Sequence, residues 1–67
     1  MTARSTRNKI RYQAKMCVDK LERIQQHLKS IDEMSEGSSE AITEQLPALI
    51  MAVDLVMDFH IAFRDSL

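Results

Sequence analysis

The chain has 67 residues, 45% of them hydrophobic and 28% charged, with a formal net charge of −1 at pH 7. That length allows one domain at most, and chains this short need a disulfide, a metal or a partner chain to be stable. A lone cysteine excludes an internal disulfide and no residues are spaced as a metal site, so the missing stabilisation is expected from another chain.

Residues 1–8 read as a flexible basic arm. The sequence as far as Asp19 holds several Arg and Ser/Thr residues and no earlier acid, as transit peptides do, but it lacks the apolar core of a secretory signal. A seven-residue repeat already begins at Ile10, so most of this stretch is expected to be mature structure.

The spacing predicts helix 1 over residues 9–34. Ile10, Ala14, Cys17, Leu21, Ile24, Leu28 and Ile31 step by four and three without a break, the a/d pattern of a packed helix pair. The flanks are mostly polar, so one narrow seam is expected to be buried. Cys17 falls in it, and a small buried apolar role is expected for this residue rather than a reactive thiol. Unpaired, Cys17 also fits a reducing compartment, hence a cytoplasmic protein.

A loop follows at residues 35–38, with Gly37 the only glycine of the chain. Helix 2 is predicted over residues 39–66, with Ser38 or Ser39 as N-cap and a bend at Pro47. Ile42, Leu46, Leu49, Val53, Val56, His60, Phe63 and Leu67 continue the four–three spacing. Ile50, Ala52, Met57 and Phe59 border that seam, and Met51, Leu55 and Ile61 carry apolar surface further round. A helix apolar over most of its circumference is buried on more than one side, and helix 1 covers only one. The stretch approaches the length of a membrane span, but Asp54, Asp58 and His60 interrupt it, so a buried soluble helix is expected and no membrane contact.

The expected fold is all-α: an antiparallel two-helix hairpin forming one domain over residues 1–67, completed by dimerisation into a four-helix bundle. The association interface is expected at Leu46, Leu49, Ile50, Val53, Val56, Met57, Phe59, His60 and Phe63. This architecture resembles that of the plasmid copy-number regulators of the Rop family, short hairpins that dimerise into four-helix bundles and bind RNA. The resemblance is architectural, with no shared motif, and a shared fold does not license a shared function.

Charge is divided along the chain. Residues 1–29 carry +6 and residues 30–67 carry −7. In a hairpin this makes a basic open end (Arg4, Arg7, Lys9, Arg11 and Lys15) and an acidic loop end (Asp32, Glu33, Glu36, Glu40 and Glu44). The basic end is a candidate nucleic-acid-binding element, with Tyr12 as its one stacking surface. The competing expectation is that each basic end meets a partner's acidic loop.

His60 occupies a repeat position otherwise filled by apolar residues, in the layer of Ala14 or Cys17. A polar residue there more often fixes register than does chemistry. The acid pairs Asp54/Asp58 and Glu40/Glu44 read as solvated faces. The segment His27-Leu28-Lys29-Ser30 resembles the phosphoacceptor segments of histidine phosphotransfer domains, but lacks the acid that typically follows the histidine. No catalytic residue, metal ligand or cofactor is therefore assigned. The expected function is a non-enzymatic protein–protein interaction module that self-associates through helix 2. The alternatives are a small nucleic-acid-binding regulator and an adaptor subunit of a hetero-complex.

Overall fold

A computed structural model describes the backbone of residues 3–35 and 39–67, with side chains described from Ser5. The loop glycine Gly37, Glu36 and the alternative cap Ser38 lie outside the described residues. Two helices account for nearly all of the rest: α1 (Ala3–Ser35) and α2 (Glu40–Ser66).

α1 starts six residues earlier than the sequence pattern predicted. Nothing between Ala3 and Asn8 breaks a helix, since neither Gly nor Pro occurs there, so residues 3–8 of the stretch expected to be a flexible arm form the first turns instead, residues 1–2 lying outside the described residues. α2 runs unbroken through Pro47. That proline is exposed, where the missing N–H and the ring strain are borne away from the seam. Ser39 is the N-cap by position, with extended backbone (φ −144, ψ 127), but its side chain makes no capping bond. Its carbonyl accepts from the Thr43 backbone N–H at 3.0 Å and from the Thr43 hydroxyl at 2.9 Å.

The helices pack against each other in opposite directions. Arg11, near the start of α1, donates through Nε to the Leu67 main-chain oxygen at 2.8 Å. Further along, Gln25 Nε2 donates to Asp54 Oδ1 at 2.9 Å. The result is a rod of 55 × 16 × 13 Å. Buried in its seam are Ala14, Val18, Leu46 and Met57, and Val18, 2% exposed, is the most enclosed. Leu21, Gln25, Leu28, Ile50, Val53 and His60 are half-buried.

This seam is rotated from the predicted one. On α1 it follows Ala14, Val18, Leu21, Gln25 and Leu28, so Val18 and Gln25 stand where Cys17 and Ile24 were expected. Cys17 is exposed, not buried. On α2, Met57 is buried while its predicted counterpart Val56 is exposed, and Ile50 is more enclosed than Leu49. The physical reason is that an a/d repeat consists of two rows lying some 40–60° apart on the helix surface. A helix with a single neighbour turns one row fully inward and leaves the other at the edge.

Candidate association surface

The row left outside on each helix keeps a strict seven-residue period. On α1 it is Ile10, Cys17, Ile24 and Ile31; on α2 it is Leu49, Val56 and Phe63. All seven side chains are exposed. The rows run along the same side of the rod. One groove brings Ile10 and Cys17 together with His60 and Phe63, and another, at the loop end, brings Ile31 together with Leu46 and Leu49. Tyr12, Met16 and Ile24 line a third groove with Cys17 and His60. One side of the hairpin is therefore an apolar strip shared by both helices.

Phe59, 67% exposed, widens the strip on the α2 side, with Met51 and Leu55 beyond it. α2 is in consequence long and apolar enough to cross a membrane on length and composition, and little of it is covered by α1.

The opposite side is polar. Gln25, Lys29 and Asp54 line a small groove there with Leu28 and Ile50, and the Gln25–Asp54 hydrogen bond spans the two helices. Asp54, expected on a solvated outer face, thus ties α2 to α1.

The nine residues expected to form the interface divide between two roles. Leu46 and Met57 are buried against α1, and Ile50, Val53 and His60 are half-buried in the same seam. Leu49, Val56, Phe59 and Phe63 remain on the surface. The α1 row was not among the predicted site residues, although its period was in plain view; assigning it to the intrachain seam hid it. Gln25 was missed because a polar residue interrupts an apolar pattern.

Of the basic residues, Arg7, Lys9, Arg11 and Lys15 are exposed on the first turns of α1, and Arg4 belongs to the same helix. Arg7, Arg11 and Lys15 recur at four-residue intervals and so share a stripe. Arg11 is engaged by the Leu67 oxygen through both Nε and a terminal nitrogen.

Cys17 and His60 line the same two grooves, but Asp58, two residues from His60, points to a different side of α2 and cannot orient its ring. Among the described residues no group of three or more His, Cys, Asp or Glu side chains is placed to hold a metal ion. His27 is exposed on α1.

No family model, curated protein or solved structure matches this chain.

Proposed function

We propose that this protein is a non-enzymatic helical interaction module that self-associates, two hairpins completing a four-helix bundle, and that it works in the cytoplasm. The observation that carries this is the surface the hairpin leaves uncovered, which includes the exposed apolar rows of both helices. A folded monomer of 7.7 kDa exposes about 4,300 Å² by the usual size scaling, whereas this chain exposes 5500 Å². The excess is about 1,200 Å², more than the roughly 800 Å² that each partner contributes to a stable interface. A two-helix rod has too little interior to stand alone, and its exposed side chains are those a second hairpin would enclose.

A membrane would cover the same apolar surface. Asp54, Asp58 and His60 disfavour it, because three ionisable groups within a span are costly in hydrocarbon, whereas the two aspartates cost nothing extra on the water-facing side of a bundle. The test is sedimentation equilibrium over a wide concentration range with circular dichroism alongside. A helical dimer persisting to micromolar concentration is the expected result; a monomer across the whole range would refute self-association.

The stripe of Arg7, Arg11 and Lys15 supports a second reading, a dimer that also binds nucleic acid through its basic end. Mobility of a labelled duplex or hairpin RNA at low salt tests it, and no retardation at 50 μM protein would dispose of it.

A further inference from the structure

The placement of charge suggests how two copies meet. α1 carries no acid in its first turn and no base in its last. Its N-terminal turns hold Arg4, Arg7, Lys9 and Arg11, and its C-terminal turns hold Asp32 and Glu33. Both arrangements oppose the helix macrodipole, which favours acids at the N-terminus and bases at the C-terminus. α2 follows the favourable rule at its start, with Glu40 in its first turn, and has Arg64 in its last, ion-paired with its neighbour Asp65. Because the helices are antiparallel, like charges then collect at each end of the rod. Asp32 and Glu33 stand with Glu40 and Glu44 at the loop end, and Arg7 and Arg11 with Arg64 at the open end, where Asp65 pairs with Arg64 at 3.1 Å and still leaves positive charge in excess. Within one chain, this pattern is unfavourable on both counts.

A second copy reversed end for end removes the conflict. Its acidic loop end would lie against the first chain's basic open end, and the same would hold at the other end by symmetry. The exposed apolar rows suit such a partner, since a strip repeating every seven residues on two helices packs best against a strip of the same period. We infer that two copies pair apolar side to apolar side with their long axes reversed, so that the α1 row Ile10, Cys17, Ile24 and Ile31 forms half of each protomer's contact surface. This rests on the self-association proposed above and adds to it the occupant's orientation and the part played by α1. A two-fold axis then crosses the strip near its middle, making the contact isologous and closed.

The experiment places one spin label per chain at Asn8→Cys in a Cys17→Ala background, which keeps the row apolar, and reads the distance between labels by dipolar electron spin resonance, with sedimentation run on the same sample and on the unsubstituted chain. Asn8 is exposed and uncharged, so labelling leaves the charge pattern intact. At 1.5 Å per residue from the middle of the apolar strip, reversed chains put the labels on the order of 40 Å apart. Chains aligned the same way would leave them within about 25 Å, two helix diameters. A dimer with the short distance overturns the reversed orientation while self-association stands. A monomer overturns both; its uptake by phosphatidylcholine vesicles would assign the apolar side to lipid, and its staying in solution to a different protein. Ile24→Asp supplies the second arm. It should weaken the dimer at least tenfold, and an unchanged dimer would remove α1 from the contact.

Discussion

The two sides of this hairpin are built from the same two helices and do opposite things. On one side Gln25 reaches across to Asp54, and polar or charged residues face solvent around them. On the other, Ile24 and Val56 lie in parallel apolar rows with nothing over them. On the polar side one directional hydrogen bond, from Gln25 to Asp54, spans the two helices and is lost if the register slips. The apolar side has no such bond. The difference teaches that the hairpin's internal contact uses half of its heptad pattern and leaves the other half exposed, the half through which association is proposed.

The sharpest way to break that contrast is a charge on each side. Val56→Asp puts a carboxylate in the middle of the exposed apolar row, where a partner helix would strip it of water without pairing it. Association should weaken by at least 100-fold, about 2.7 kcal/mol, in sedimentation or in the concentration dependence of the helical signal. Asp58→Asn, on the polar side, should leave the dimer unchanged. Equal effects from the two variants would mean that the sides do not differ in function.

Next in size is the seam itself. Leu46 is almost fully enclosed against α1, so Leu46→Ala should cost about 3 kcal/mol of stability. Unlike Val56→Asp, it should shift urea unfolding by a similar amount at low and high protein concentration, since the lost packing lies within one chain. A loss that shrinks as protein is added would place Leu46 in the contact between chains instead.

Pro47 separates backbone effects from both. It is exposed and is the eighth residue of an unbroken α2. Pro47→Ala should recover part of the about 3 kcal/mol that proline costs a helix interior, raising the thermal midpoint without altering the oligomeric state. A fall in stability would show that a proline-induced bend is needed to seat α2 on α1.

Much of the fold was legible in the sequence. The unbroken four–three spacing on either side of Gly37 is enough to predict two helices, and the charge division and excess apolar residues of α2 could be read directly. The rotation of the seam was not legible. Ala14, Cys17 and Leu21 fit the repeat as well as Ala14, Val18 and Leu21 do, and periodicity cannot choose between neighbours one position apart. What decides is side-chain fit across the contact, with Val18 and Met57 filling the seam and Gln25 finding Asp54. None of those is a property of one helix alone. The start of α1 escaped for another reason: six polar and small residues with no helix breaker look like an arm when judged by hydrophobicity and like a helix when judged by propensity.

The smallest expected effect concerns that polar link. Gln25 and Asp54 are joined by one hydrogen bond beside solvent, so removing either side chain should cost about 1 kcal/mol. In a double-mutant cycle, Gln25→Ala and Asp54→Ala should be less than additive, with the second substitution costing little once the first is made. Gln25→Leu separates stability from register. It replaces a polar seam residue by one that packs, and should hold or raise stability while loosening the alignment of the helices, as loss of a buried polar specifier does in coiled coils. Amide exchange near Leu28 and Ile50 would report that loosening. If exchange there is unchanged and the cycle is additive, then Val18 and Met57 set the register by packing alone, and the polar side owes its character to solvent rather than to any task in the fold.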